Sequence, residues 1–469
     1  MKKIFLHLAL FLSFVNCIAQ TTDYSSATIS PELKENADAV IRLRQRDVTI
    51  SSRKSMTVIT KNVVTIFNEK GISHAGAFEY FDNSTRIKSI EAVIFNAYGK
   101  EIKKMKRKDF LENSVSQGSI ISDGKVLYLD YTPTEYPFTI VFQSETESSN
   151  TAFIPAWEAI DRPYESIEKS IVTVSSIPNL GFKYKEFNVS GNQSVVKQEK
   201  QNGVSFTATN LAAVKKEEYS PNMTSFIPQV LFGIEIFNLE GIEGNASTWK
   251  DFGSWIYASL LTGTDEISPE TQAKIKALVG TEKDPIKVAK IVYQYVQNKT
   301  RYISIQLGIG GWKPMLAKDV DRLGYGDCKA LTNYTRALLK VVGIPSYYTI
   351  IYGDSQRRDL HEDFVSMQGN HAILGLPVND KMYWLECTDQ TSPFAFQGYF
   401  TDNRLALIVK PDGGEIVRTH EYVPKENTQI TKGSFLIDET GTISGSVSIK
   451  SKGTQYGNKY DNSKSQATI

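Results

Sequence analysis

Cysteine is scarce in this chain of 469 residues: there are three, Cys17, Cys328 and Cys387. So few cannot make a disulfide-built scaffold, and a chain this long can bury its own core without one. Histidine is nearly as rare, with five in all. A net charge of either sign is missing too, since 53 Lys and Arg stand against 52 Asp and Glu. No global field therefore draws the chain to nucleic acid or to an anionic membrane. Past the first twenty residues no apolar run approaches the roughly 20 residues that a spanning helix needs, so none is expected in the mature chain. What remains is an ordinary globular composition, 41% hydrophobic and 22% charged. Its length suits two or three domains.

The first residues, MKKIFLHLALFLSFVNCIAQ, pair a basic start at Lys2 and Lys3 with an apolar run from Ile4 to Val15 and a small-residue end. This pattern predicts a secretory signal peptide over residues 1–19, cut after Ala19, and so an exported protein of the periplasm or cell envelope. Cys17 raises lipidation, but Asn16 is bulky where lipoprotein signals carry a small residue. In an oxidising compartment the plainest use of Cys328 and Cys387 would be a disulfide between them.

Residues 20–244 alternate apolar and polar positions, as in KSMTVITKNVVTIFNEKG and PFTIVFQSETES, with turn signals about every ten residues. The pattern predicts an all-β domain of antiparallel sheets packed as a sandwich. The basic run Lys103, Lys104, Lys106, Arg107 and Lys108 reads as a charged edge. Residues 245–400 change to a helical period. Ser247, Ser268 and Asp284 are placed as helix caps, and Pro269 and Pro285 at first turns. Strand patterns return after Pro345, and residues 401–469 form a β-rich segment that looks like the start of a further domain. The whole is thus a multidomain chain: a sandwich, an α+β core and a partial β segment.

GYGDCKALTNYTRALLK, residues 324–340, carries the chemistry. Leu331, Tyr334, Leu338 and Val341 share one helical face, and Asp327 suits the cap. Cys328 then falls in the first turn, on the buried face and at the positive end of the helix dipole, which favours the thiolate. The plain alternative is a small buried hydrophobe. A partner base would decide, and NHAILGLPVNDKMYWLECT supplies one. Read as a hairpin with a four-residue turn at Pro377–Asp380, it pairs Leu376 with Lys381, Ile373 with Trp384 and His371 with Glu386. Cys387 would face the other way. Thiol, imidazole and carboxylate in that order suit nucleophilic attack on a carbonyl, proton transfer and orientation of the ring. Each of the three could instead be only a packing or surface residue.

YGDCK with its helix, then NHAIL, then YWLECT, together resemble the transglutaminase-like superfamily over about residues 245–400. These are papain-like cysteine enzymes with a Cys-His-Asp order. The resemblance implies an α+β core, with Cys328 as nucleophile, His371 as base and Glu386 where Asp is usual. Asp389 is an alternative acid. Bacterial members are commonly peptidases or amidases, and crosslinking enzymes are a minority. Residues 20–244 resemble an uncharacterised domain that precedes such cores in exported bacterial proteins. For the oxyanion, the backbone N–H of Cys328 is a natural donor. Tyr302, Gln306 and Trp312 are candidates for a second donor or for the acyl groove, with packing as the plainer role.

The reading that follows is an exported cysteine hydrolase cleaving an amide or peptide bond through a thioester. Its substrate would be a peptide or protein, cell-wall peptide included, and no cofactor is expected. A non-catalytic envelope binding or scaffold protein with a degenerate core is the alternative. A metal site from Cys328, His361, His371 and Cys387 matches no common zinc spacing, so no metal is expected.

Overall fold

The computed structural model describes residues 23–460. Residues 1–19, expected from sequence to be a signal peptide, lie with Cys17 outside the described residues. Alternating sequence builds β1 (Ala39–Ser52), β2 (Ser55–Ile66), β3 (Thr85–Phe95), β4 (Glu101–Lys106), the short β5 (Ile120–Ser122), β6 (Phe138–Ser148), β7 (Glu165–Ser176), β8 (Val195–Lys200) and β9 (Gly203–Leu211). All but β5 join one eight-stranded sheet in the order β8-β9-β7-β1-β2-β6-β3-β4. Neighbours run antiparallel except β1 and β7, which are parallel from Ala39↔Glu165 to Ile50↔Ser176. Alternation sets which face a residue takes; strand direction depends on the connection, and here a long one brings β7 back in the direction of β1. The basic run lies on β4, at the sheet edge, and in the turn after it, where charge discourages pairing with another chain.

Two three-stranded sheets add a second layer. One joins Phe78–Phe81, Lys125–Tyr128 and Leu111–Ser114; the other joins Trp157–Glu158, Gln229–Gly233 and Lys183–Phe187. β1 feeds two separate apolar clusters from one face. Ala39 and Ile41 pack with Leu127, Phe138 and Phe142, while Val48 and Ile50 pack with Trp157, Phe206 and Phe232. A bulge between Ile41 and Leu43 shifts the alternation by one and keeps both pairs on that face. The second cluster does not stop at the sandwich. It runs on through Phe252, Ile256, Leu260, Cys328 and Tyr348.

Those residues belong to the α+β unit. α1 (Trp249–Ile256) is capped by Thr248, which trades hydrogen bonds with Asp251. This is one residue later than the sequence suggested, and Ser247 donates to Glu235 instead. α2 (Pro269–Val279) and α3 (Pro285–Lys299) begin at Ser268 and Asp284, each with proline at the first turn. β10 (Ser304–Gln306) leaves the unit and pairs in parallel with β5 of the sandwich. α4 (Cys328–Val341) then packs on an antiparallel sheet of β11 (Tyr347–Ile351), β12 (His371–Val378), β13 (Lys381–Leu385), β14 (Leu405–Lys410) and β15 (Gly413–Arg418), ordered β13-β12-β11-β14-β15. Leu331, Tyr334 and Leu338 of α4 meet Leu374 and Leu376 of β12 in a third cluster. β14 and β15 were assigned to the C-terminal segment by sequence; here they complete the sheet of the core. Beyond them β16 (Gln429–Ile437) and β17 (Ile443–Ser451) pair as an exposed hairpin.

Candidate active site

The first turn of α4 is fixed by Asp327, whose carboxylate accepts the Ala330 N–H at 2.9 Å and also pairs with the buried Lys329 ammonium. That arrangement seats Cys328 on the inner face of the helix start, 6% exposed. His371 opens β12, opposite Ile351 of β11. Its Nε2 lies 2.8 Å from Glu386 Oε2, and the ring and the Cys328 sulfur border the same cavity, with the sulfur favouring the charged ring. With Nε2 taken by the acid, Nδ1 is left for the sulfur. The edge of Phe400 closes over the imidazole, ring centres 5.1 Å apart.

The hairpin that joins His371 to Glu386 differs from the sequence reading. Val378 pairs with Lys381, Leu376 with Tyr383 and Leu374 with Leu385. Its turn is therefore Asn379-Asp380, both at positive φ (49° and 59°), rather than four residues long. Asn and Asp tolerate that region better than most residues, and paired positive φ values suit the twist of a two-residue hairpin. The register consequently slips by two, so His371 and Glu386 are not directly opposed and Glu386 lies just past the end of β13. A slip of two preserves the face, whereas a slip of one would have reversed it. The two side chains meet on a diagonal.

Burial opposes the positive charge on His371, but the Glu386 carboxylate and the Cys328 sulfur outweigh it and raise the ring to about 10. Glu386 is pushed up by burial and pulled further down by the imidazole and by Thr388. Thr388 donates its hydroxyl to Glu386 Oε1 at 2.6 Å and its N–H at 3.1 Å. From behind, the Tyr293 hydroxyl of α3 donates to the Glu386 carbonyl at 2.8 Å. Sequence reasoning missed Thr388 and Tyr293. A threonine two residues past an acid in a turn was a usable signal for the first; nothing local marks the second.

Asp389 accepts from Thr391 and Ser392 within its own loop, while the carboxylate bonded to the His371 ring is that of Glu386. Cys387 and Cys328 are both free thiols, in different clusters, so the disulfide is absent. Burial pushes the Cys387 thiol up to about 12. His361 sits against the Phe187 ring, 4.7 Å between centres, and no metal-ligating group is assembled among the described residues.

A cavity of about 220 Å³ adjoins the sulfur and the imidazole. Gln306 and Trp312 line it, with Phe252, Leu260 and Met367 among its apolar walls. Tyr302 is outside this lining, half-exposed near the sulfur. Its phenol is raised by burial first and by Cys328 second. The wall bearing Gln306 and Trp312 is braced by the sandwich: β5 pairs with β10, Asp123 accepts the Gly308 N–H at 3.2 Å, and Phe153 packs on Trp312 with ring centres 4.7 Å apart.

A thiol at a helix start, a histidine strand and an acid beyond the hairpin fall within one matched segment, since residues 272–388 match the transglutaminase-like superfamily. The core is transglutaminase-like. Ahead of it, residues 52–215 match a domain of unknown function, DUF3857. A solved structure described as a "putative protease" from Parabacteroides distasonis ATCC 8503 shares the fold at 14% identity and a TM-score of 0.57, covering 82% of this chain and 72% of its own. A "putative cysteine protease" from Cytophaga hutchinsonii covers 85% and 90% at 10% identity, with a TM-score of 0.23. An M1 zinc metallopeptidase from Deinococcus radiodurans covers 55% of each chain at 11% identity, with a TM-score of 0.20. At such scores neither of the last two bears on the fold of the transglutaminase-like core. No curated protein matches the chain.

Proposed function

We propose that the protein is an exported cysteine hydrolase that cleaves an amide or peptide bond through Cys328, His371 and Glu386. The observation that carries this reading is one imidazole bonded to a carboxylate and set beside a sulfur at the wall of a cavity. A lone pair of the Cys328 thiolate forms the bond to the carbonyl carbon, and the C=O π pair moves onto the oxygen. The Cys328 N–H, free of an intrahelical partner at the helix start, is the natural donor to that oxyanion, and the Gln306 amide in the cavity lining is the candidate second donor. His371 then gives its proton to the departing amine, leaving a thioester. Water enters, His371 takes its proton, and the carboxylic acid leaves as the thiolate re-forms. Glu386 stabilises the imidazolium and fixes Nε2, so Nδ1 stays directed at the sulfur. An amine in place of water would give transamidation from the same thioester. The acyl donor in this reading is a peptide or protein, one apolar side chain of which would enter between Phe252, Leu260 and Met367.

The test is turnover of a peptide library by the purified protein beside Cys328→Ala. The variant should keep its fold and lose turnover to background, and the native thiol should be labelled by a thiol-reactive peptide analogue. Undiminished turnover in Cys328→Ala would end this reading.

A further inference from the structure

Between the two apolar clusters under the eight-stranded sheet runs a belt of charge. Arg44 and Arg46 of β1, opposite Asn62 and Thr60 of β2, stand on the face that carries Ile41 on one side and Val48 on the other. With Glu79, Asp161, Arg162 and Glu165 they line a cavity of about 300 Å³ that shares no residue with the cavity beside Cys328.

The charges in it are unevenly matched. Arg44 is held by Glu165 at 3.1 Å and Asp161 at 3.2 Å, and Glu165 also holds His74 at 3.2 Å. Arg46 is different. Among the described residues its guanidinium has one hydrogen bond, to the Ala156 carbonyl at 3.3 Å, and no carboxylate in ion-pair reach. Burial pushes Arg46 below its ordinary range, and Glu79 offsets this only in part. Glu79 accepts from the Ser144 hydroxyl and is itself raised by burial. Asp161, near the opening, is raised to about 6 by burial in spite of Arg44. At the floor, Arg44 Nη1 and Asn62 Oδ1 have no partner.

Burying charge with incomplete partners is costly, and apolar side chains continuing the two clusters would serve stability better. The arrangement makes sense as a receptor. Three arginines face three carboxylates, so a guest of one sign would leave the cavity charged and a guest bearing both would not. A guanidinium with free donors is suited to a carboxylate. Two carboxylates on the cavity wall, Asp161 with its side chain 44% exposed and the more buried Glu79, are suited to an ammonium. We propose that this cavity binds a free α-amino acid, its carboxylate on Arg46 and its ammonium at Asp161 and Glu79. The site stands apart from the thiol and does not depend on the hydrolase reading.

The experiment is calorimetric titration of the purified protein with each of the twenty free L-amino acids, then with the N-acetyl and amide forms of the best binder. One or more amino acids should bind saturably. Removing either end charge should weaken binding about tenfold or more. Arg46→Gln should do the same, and Cys328→Ala should not. If Arg46→Gln fails to fold, Glu79→Gln and the two derivatives on the native protein decide instead. Absence of saturable binding by all twenty overturns the proposal, as does equal affinity for the capped forms or for a folded Arg46→Gln.

Discussion

Glu386 has one task in the proposed chemistry, to keep His371 charged and aimed, and its removal has a readable signature. Because His371 is raised to about 10, activity should persist into alkaline solution and fall as the ring loses its proton there. Glu386→Gln removes the largest stabiliser of the imidazolium. It should lower kcat by about 10²–10⁴-fold and move the alkaline limb down by about one unit or more, as a pH–rate profile would record. An unmoved limb would separate the acid from the ring's charge. The same shift ties stability to pH. A folded-state value above the ordinary 6.5 means the ring's contribution is full below about 6.5 and is lost as pH rises through about 10, which denaturant midpoints across that range would follow. Thr388→Ala frees one oxygen of Glu386 and should cost activity less than Glu386→Gln does. At this scale the sequence was informative about Cys328, because cap, glycine and helical period are all local. It was less so about Glu386, since pairing across a hairpin depends on turn geometry, and Asn379-Asp380 could be read as two residues or as part of four.

Two elements meet where no local pattern announces it. β5 and β10 are far apart in the chain and only three residues long, too short to show a strand period. Their pairing nevertheless holds the wall that bears Gln306 and Trp312. Asp123 ties that wall to the sandwich through Gly308. Asp123→Ala should therefore lower kcat/KM several-fold while thermal unfolding shifts by no more than a few degrees, and kinetics beside a melting curve would separate the two effects. The β12–β13 turn offers the opposite change. Asp380 stands at φ 59°, where glycine is unstrained. Asp380→Gly should raise the unfolding free energy modestly, by about 0.4–1 kcal/mol, as denaturant titration would record, without altering turnover.

Across the whole molecule the apolar cluster containing Val48, Trp157 and Phe206 also contains Phe252, Cys328 and Tyr348. The strand-rich and helical halves were separable in sequence because their periods differ. The cluster they share was not, since an apolar residue does not reveal which unit will cover it. A fragment starting at residue 245 would expose the far side of this cluster. It should be poorly soluble or bind a hydrophobic dye that the full chain does not, and a well-folded, active fragment would show that the sandwich is dispensable. β14 and β15 carry a last consequence. Cys328, His371 and Glu386 all precede Leu405 in the chain, yet β11 has a bare edge until β14 pairs with it, and β15 then pairs with β14. A chain clipped near residue 400 would carry all three side chains and still leave that edge of β11 unpaired, so in the proposed chemistry it should turn over less than the full chain.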